Sequence, residues 1–277
     1  MPALATLALF AAALPNAVVL EPVANMYSRP TEDADVVSQA IYGANVGLLE
    51  QKEGWARVRT ADDYSGWIPL RALKAGPGYA ASGRVAMVES LRCHIYREAS
   101  VTRHAPLLTV PFETRLEVVS PPEEAPRWFQ VRLPDDRSGY VQAGDVSFET
   151  RPLTMDEMIA LSKRFLGLPY TWGGTSSFGY DCSGFVQMLE RRRGVNMPRD
   201  AQPQADWSGV ASIDRNELKP GDLLYFGSSD KKITHTGLYL GDGKFINATA
   251  YQTPTVRIDD LSDPHWQRLL VATRRVK

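Results

Sequence analysis

An internal repeat in the first half of the chain restricts the possible folds more than any other sequence feature. Residues 55–67 and 128–140 match at a constant spacing of 73 positions. The matched positions hold a leading tryptophan, a Val-Arg pair, an Asp-Asp pair, a Ser-Gly pair and a closing aromatic residue. Short alternating strands joined by such turns are typical of small β-barrels. The repeat therefore predicts two small β-barrels in succession.

Both copies of the repeat resemble bacterial SH3 domains. The resemblance rests on an Arg-Pro pair at 29–30 and on a Gly-Trp-Ile-Pro segment at 66–69. It implies a first SH3 domain over roughly residues 20–75 and a second over 80–150. The Lys-Ala-Gly-Pro-Gly segment at 74–78 has the composition expected of a linker between them.

The last part of the chain has a different pattern. Thr154 followed by Glu157 is a capping box, which predicts the start of a helix. A second helix is predicted from Cys182, and from Pro220 onwards apolar and polar residues alternate as they do in strands. Helices followed by an antiparallel sheet indicate an α+β domain over residues 151–277.

Cys182 is the strongest candidate for chemistry. It lies at the predicted start of a helix, where Asp181 is the expected N-cap. The positive end of the helix dipole favours a thiolate and can lower a cysteine pKa from about 8.5 towards neutrality. The alternative is a small buried cysteine at a helix–helix contact, which is common for free cysteines. The position beside Asp181 and Ser183 favours the nucleophile.

A nucleophilic cysteine needs a base within hydrogen-bond reach. Of the four histidines, His94 and His104 belong to the second predicted barrel, and His265 is expected on the surface near the C-terminus. His235 begins an alternating strand and is therefore the expected base. The alternative for His235 is a partly exposed strand residue.

Asn247 is the expected orienting residue for His235. A three-residue loop at 241–243, with Gly243 left-handed, would pair Gly237 with Asn247. Because side chains alternate along a strand, His235 and Asn247 would then share one face of the sheet. A two-residue loop would put Asn247 on the opposite face, as an ordinary polar residue at a strand end.

The C-terminal motifs resemble the NlpC/P60 cysteine peptidases. The matching segments follow the order of that family and lie at 169–174, 181–185, 197–200, 218–226 and 235–248. The resemblance implies a papain-like domain, with Cys182 on a helix and His235 on the sheet. It also implies that Tyr170 helps to bind the oxyanion. At the third catalytic position, where the family most often has histidine, this chain has Asn247.

The combination of SH3 domains with this catalytic domain resembles one subgroup of the family. That subgroup hydrolyses γ-D-glutamyl bonds to L-diamino acids in released murein peptides, and its first SH3 domain admits only a free N-terminal L-Ala. The resemblance assigns substrate binding to Tyr64, Asp181, Ser183, Trp172, Asp200 and, from the first SH3 domain, Asp35. Ala201 stands where the subgroup often has a hydroxyl side chain.

Three other functions are compatible with the sequence, because a fold does not determine a function. The chain could be an endopeptidase that trims intact peptidoglycan and is anchored by its SH3 domains. It could be a non-catalytic cell-wall binding protein. It could also be an acyltransferase or amidase that acts on a non-peptide substrate.

Composition bears on partners and cofactors. Lys and Arg (31) nearly balance Asp and Glu (32), so no nucleic-acid partner is expected. No spacing of His, Cys or carboxylate residues suggests a metal, and no cofactor is expected. Cys93 and Cys182 are too few for a disulfide framework, and both thiols are expected to be free.

The N-terminus is the one candidate targeting segment. The apolar stretch at 3–14 precedes a possible cleavage site at 15–17 and resembles the core of a secretory signal, although no Lys or Arg precedes Arg29. The alternative is an apolar helix packed on the protein. Residues 1–19 are expected to form such a signal or apolar segment, which favours an extracytoplasmic over a cytoplasmic location. No membrane span is expected in the mature chain.

Overall fold

The computed structural model describes residues 16–120, 127–149 and 151–277. The apolar stretch at 3–14 lies outside these residues. Along the described chain, two antiparallel sheets are followed by an α+β unit, here called the C-terminal unit (residues 151–277). None of the helices in this part of the chain combines the length and the apolar character that a membrane crossing requires.

The first sheet contains the first copy of the repeat. Its strands are β1 (Asn16–Val19), β2 (Val23–Tyr27), β3 (Val36–Ile41), β4 (Asn45–Lys52), β5 (Trp55–Arg59), β6 (Ser65–Pro69) and β7 (Leu73–Ala75). They lie side by side in the order β3-β2-β6-β5-β4-β1-β7. Alternate side chains, such as Val19, Met26 and Ile68, fill its core. Because β1 pairs with both β4 and β7, this sheet begins at Asn16 rather than at the expected residue 20.

The second sheet contains the second copy of the repeat. The strands of this region are β8 (Val85–Val88), β9 (Arg92–Ile95), β10 (Leu108–Pro111), β11 (Arg115–Ser120), β12 (Trp128–Arg132), β13 (Ser138–Gln142) and β14 (Val146–Ser147). The sheet has the order β13-β12-β11-β8-β14, and β9 and β10 form a separate pair. Its core includes Cys93, Ile95 and Leu116.

The repeat in the sequence is also a repeat in the structure. The leading tryptophan of each copy lies opposite the residue fourteen positions further on, Pro69 in the first copy and Gln142 in the second. The following turn contains an aspartate with positive φ in both copies, Asp63 (64°) and Asp136 (67°). Aspartate is one of the few residue types that adopt this conformation readily. The predicted repetition of short strands and Asp-Asp turns is therefore confirmed.

The C-terminal unit combines helices with a third antiparallel sheet. Its helices within the described residues are α1 (Met155–Lys163), α2 (Cys182–Arg192), α3 (Ala201–Asp206) and α4 (Pro264–Leu269). The capping box of Thr154 and Glu157 at α1 is confirmed. One short 3-10 helix of this unit covers Arg215–Glu217, and two others lie in the preceding sheets at Leu70–Ala72 and Ala143–Asp145.

The strands of the C-terminal unit form a short pair before α2 and a six-stranded sheet after α3. A short pair consists of β15 (Thr175–Ser176) and β16 (Gly179–Tyr180), and the sheet consists of β17 (Val210–Ser212), β18 (Leu223–Ser229), β19 (Lys232–Gly241), β20 (Lys244–Thr249), β21 (Thr255–Asp260) and β22 (Leu270–Val276). The sheet has the order β17-β22-β18-β19-β20-β21. Helix α2 is buried against it, with Phe185 and Leu189 in the same apolar cluster as Leu238 and Ile246.

The two sheets and the C-terminal unit are joined in series by buried aromatic residues. Tyr42, in the turn before β4, lies in the core of the second sheet. Phe112, in the turn before β11, lies in the core of the C-terminal unit, with its ring 5.3 Å from that of Phe165. Each of the two sheets thus contributes one aromatic side chain to the core of the unit that follows it.

Candidate active site

Cys182 is the first residue of α2, as predicted. The Asp181 carboxylate caps the helix by accepting a hydrogen bond of 2.7 Å from the amide of Gly184. Cys182 as a whole residue is 8% exposed, and the backbone amides of Thr236 and Ser183 face its sulfur. The contact with Thr236 places the thiol against β19, one residue from His235.

Burial shifts the protonation equilibria of both members of the candidate pair. Burial, followed by the charge of Asp181, raises the pKa of Cys182 to about 12, although backbone amides oppose this shift. Burial also lowers the pKa of His235 to about 4. Both shifts favour the uncharged thiol and the uncharged imidazole, because burial disfavours the charged form of each group. The thiolate that the helix dipole favours stays a prediction.

His235 and Asn247 share one face of the sheet, as predicted. The His235 Nε2 lies 2.9 Å from the Asn247 Oδ1, and Leu238 lies opposite Ile246 in the expected register. The Asn247 amide nitrogen in turn donates to the Asp259 carboxylate at 2.9 Å. The imidazole of β19 is thus held by a side chain of the neighbouring strand, β20.

The hairpin achieves this register by a route that the sequence did not predict. Gly241 pairs with Lys244, so the loop has two residues, Asp242 and Gly243, both with positive φ (50° and 73°). The register shifts between Tyr239 and Gly241. This irregularity places one extra residue in β19, as a β-bulge does. The two-residue turn therefore gives the same pairing as the predicted three-residue loop.

Aromatic rings enclose the imidazole. Trp266 of α4 stacks on His235 with the ring centroids 5.1 Å apart and 25° between the planes. The centroid of Phe226 lies 5.6 Å from that of His235. These rings cover part of the half-buried imidazole, and burial is the main cause of its lowered pKa.

Tyr170 lies close enough to Cys182 to be affected by its charge. Burial, followed by the Cys182 and Asp181 charges, raises the pKa of the Tyr170 phenol well above its usual value. The phenol therefore keeps its proton and remains a hydrogen-bond donor.

A buried arginine organises the other side of Cys182. Arg199 makes two hydrogen bonds to the Asp181 carboxylate, at 3.0 and 2.6 Å, and one of 2.9 Å to the Ser183 hydroxyl. Its Nε donates to Ser38 of the first sheet at 3.2 Å. Because the arginine side chain is only 1% exposed, this pair is a dry link between Asp181 and the first sheet.

The first sheet covers this side of the cysteine. The Tyr64 hydroxyl donates to the Asp200 carboxylate at 3.1 Å, and Gln187 of α2 donates to Asp62 at 2.9 Å. Burial, followed by the charge of Asp200, raises the pKa of Tyr64 to about 12. Burial also raises the pKa of Asp200, with Arg199 and Tyr64 opposing.

Comparisons with known proteins identify the family of this chain. A family model described as NlpC/P60 family matches residues 167–275, and one described as bacterial dipeptidyl-peptidase Sh3 domain matches residues 26–73. The gamma-D-glutamyl-L-lysine dipeptidyl-peptidase of Bacillus subtilis is 39% identical over 253 residues, covering 88% of this chain and 82% of that protein. The protein of the same name from Bacillus cereus is 30% identical over 255 residues, covering 86% and 74%. This chain belongs to the NlpC/P60 family.

A solved structure matches nearly the whole chain. The crystal structure of an NlpC/P60 family protein from Bacillus cereus superposes with a TM-score of 0.81 at 24% sequence identity. The match covers 94% of this chain and 99% of that one. The arrangement of two sheet units before the peptidase-type unit is therefore shared with a solved structure.

The remaining predicted residues of this NlpC/P60 site lie at its rim. Trp172 is 70% exposed, and Asp35 is also exposed. Gly173 packs directly against Val36, leaving no room for a side chain at Gly173. This contact brings the segments that carry Trp172 and Asp35 together at the edge of the first sheet.

Three residues of the site were not predicted as functional. Arg199 lies within a matched segment, so that segment could have indicated it. Asp259 and Trp266 carry no local signal, because only the placement of β21 and α4 brings them to the imidazole. Within the described ranges, no group of three or more His, Cys, Asp or Glu residues could hold a metal ion.

Proposed function

We propose that the protein is a cysteine peptidase that hydrolyses the γ-D-glutamyl bond to an L-diamino acid in cell-wall peptides with a free N-terminal L-Ala. The observation that carries the proposal is the bond from Tyr64 of the first sheet to Asp200, beside the cysteine–histidine pair. The names of the two Bacillus relatives support the same bond and substrate class.

The chemistry begins from a neutral pair. His235 accepts the proton of Cys182 as the sulfur attacks the γ-carbonyl carbon, which avoids a free thiolate in a dry site. The imidazolium then protonates the departing amine, leaving a thioester on Cys182. His235 next activates a water molecule that hydrolyses the thioester and regenerates the thiol.

Two donors are proposed for the oxyanion. The phenol of Tyr170 stays protonated because its pKa is raised. The backbone amide of Cys182, at the N-terminus of α2, supplies a second donor. Fixed donors in a site without water stabilise a tetrahedral oxyanion more strongly than water does.

The first sheet contacts Asp200 through Tyr64 and Arg199 through Ser38, which supports recognition of a free amine there. A buried ammonium needs a carboxylate partner. Asp181 already makes two hydrogen bonds with Arg199, whereas Asp200 accepts from Tyr64 and keeps lone pairs for a ligand. We therefore assign the larger share of amine binding to Asp200, with Ser183, Trp172 and Asp35 closer to the rest of the peptide.

The decisive experiment compares the free peptide L-Ala-γ-D-Glu-L-Lys with its N-acetylated form. We expect hydrolysis of the free peptide and at least a large loss on acetylation, while the Cys182→Ala variant cleaves neither. Equal rates on both peptides would exclude an amine-binding pocket and favour an endopeptidase on intact peptidoglycan. Activity that survives Cys182→Ala would exclude the cysteine peptidase altogether.

The pH profile tests the proposed base separately. Because the pKa of His235 is lowered to about 4, the imidazole stays unprotonated above that pH and can act as a base. We expect kcat/KM to hold down to about pH 5 and to fall below it, and not near the usual histidine value of about 6.5. An acid limb near 6.5 would show that the imidazole is solvated and contradict the buried pair.

We also propose that both sheets close as small SH3-like barrels. The matched family model over residues 26–73 supports this closure for the first sheet. The β12–β13 pair has the same register as the β5–β6 pair, which supports the same closure for the second sheet. The apolar stretch at 3–14 supports a further proposal, export to the compartment that holds the cell wall.

A further inference from the structure

Asn247 lies between the imidazole and a carboxylate that the proposed reaction does not use. Its Oδ1 is 2.9 Å from the His235 Nε2, and its Nδ2 is 2.9 Å from the Asp259 Oδ2. An asparagine amide has an acceptor at one end and donors at the other. If the amide group of Asn247 were rotated by 180°, it would present N–H groups to the imidazole. The ring nitrogen that carries the hydrogen and the one that carries the lone pair would then be exchanged.

Asp259 prevents that turn. An ionised carboxylate can only accept hydrogen bonds, so the amide nitrogen of Asn247 must face it. The backbone carbonyl of Arg257, at 3.4 Å from the same nitrogen, is also an acceptor. The Asn247 oxygen must therefore face the ring, and Nε2 must carry the hydrogen of the neutral imidazole. That leaves Nδ1 with the lone pair that a base requires.

We propose that Asp259 is a positioning residue that fixes the tautomer of His235 through Asn247. This inference rests on the proposed function, in which His235 is the base. Asp259 becomes a fourth residue in the series of side chains Cys182, His235, Asn247 and Asp259. Asn247 carries no charge, and the negative charge of the series is that of Asp259, which bonds to Asn247.

The position of Asp259 is itself fixed. Arg257 Nε donates to the same Asp259 oxygen at 2.9 Å, and the two side chains are 20% and 15% exposed. Asn247 lies opposite Arg257 in the β20–β21 pairing, and residues 257 and 259 point to the same side of β21. The charge of Asp259 also favours the protonated imidazole, which forms when the thiol proton is transferred.

Two substitutions and a matched control test the inference by kinetics. Asp259→Ala removes the acceptor, and we expect kcat to fall about tenfold or more with little change in KM, as for other outer partners of a catalytic imidazole. Asp259→Asn keeps an oxygen but can also donate, so its loss should be smaller. Asp260→Asn removes the charge that pairs with Lys244, keeps an oxygen that can accept from the Ser262 amide, and should leave kcat unchanged. Equal kcat for all three and the unchanged protein would overturn the inference.

The tautomer is measured directly, without reference to any substrate. In protein labelled with ¹⁵N-histidine, His235→Gln identifies the signals of His235. We expect the Nε2–H form in the unchanged protein and a mixture of tautomers in Asp259→Asn and Asp259→Ala. A purely structural role would lower the melting temperature and leave the Nε2–H form alone, which would overturn the inference.

The two readouts separate this inference from the proposed function. If the unchanged protein cleaves none of the peptides but Asp259→Asn shifts the tautomer, the positioning role stands and the substrate assignment fails. If the peptide is cleaved and the Asp259 variants change neither kcat nor the tautomer, the positioning role fails. Should Asp259→Ala not fold, Asp259→Asn carries both measurements, since it keeps the shape of the side chain.

Discussion

The two copies of the repeat make the same contact with the unit that follows and different contacts with the active site. Tyr42 of the first copy and Phe112 of the second occupy equivalent turns, and each is buried in the core of the next unit. Gly43 and Glu113, the next residues, both have positive φ (74° and 67°). The backbone turn and the inserted ring are thus properties of the repeat.

The second turn of each copy shows where they diverge. Tyr64 follows Asp63 and bonds to Asp200 at the active site. The equivalent Arg137 is exposed and bonds to Asp135 in its own turn. The backbone is the same in both turns, but only the turn of the first copy contributes a side chain that bonds to Asp200. The repeat therefore explains the shared packing contacts, whereas differences in side chains and in placement distinguish the two copies at the site.

The largest expected effect concerns the two arginines that link the copies to the C-terminal unit. Arg199→Met leaves Asp181 buried without its partner and should lower the free energy of unfolding by about 3–5 kcal/mol. Arg191→Met removes the pair with Glu113, in which the arginine is 40% and the glutamate 11% exposed; because one partner is solvated, the cost should be smaller, about 1–3 kcal/mol. Urea unfolding measures both. Equal losses would show that the two links are of the same kind.

Next in size is the loss of an inserted ring. Phe112→Ala and Tyr42→Ala should each destabilise the protein by about 3–5 kcal/mol, because each empties a packed core. Neither ring belongs to the proposed site, so kcat/KM per folded molecule should stay unchanged. A fall in kcat/KM for Phe112→Ala would mean that the second copy also shapes the active site and would break the comparison.

A smaller effect is expected at the turn that differs. Tyr64→Phe removes the bond to the Asp200 carboxylate and should raise KM for the free peptide about tenfold, the size expected for a hydrogen bond to a charged group. Arg137→Ala, at the matched position, should leave KM unchanged. Steady-state kinetics on the two variants decide the point, and a similar KM in both would refute the role given to Tyr64.

The smallest effect is expected where the two sheets meet each other. Lys74 of the first sheet bonds to Asp136 at 2.5 Å, and both side chains are largely exposed. Lys74→Ala should therefore change stability by only about 0–1 kcal/mol. A thermal unfolding curve checks this value. A larger loss would show that the sheets depend on each other as well as on their inserted rings.

Helix starts and the pairing of neighbouring strands could be predicted from residues that lie close together in the sequence. The capping box at Thr154 and the start of α2 at Cys182 follow from side chains that bond amides within one helical turn. The pairing of strands in both copies follows from alternation and turn residues that lie close together in the chain. The shared face of His235 and Asn247 was also predicted, although the turn that produces it was not.

The protonation and the orientation of the site residues depend on contacts between distant parts of the chain. The pKa of Cys182 is raised because distant elements remove its solvent, which a helix start alone does not reveal. Arg199 joins Asp181 to Ser38 of the first sheet, and the amide of Asn247 is oriented by Asp259. These effects depend on which groups meet in space and on how much water they exclude. Neither quantity is contained in a residue and its near neighbours, so they emerge only when the units pack together.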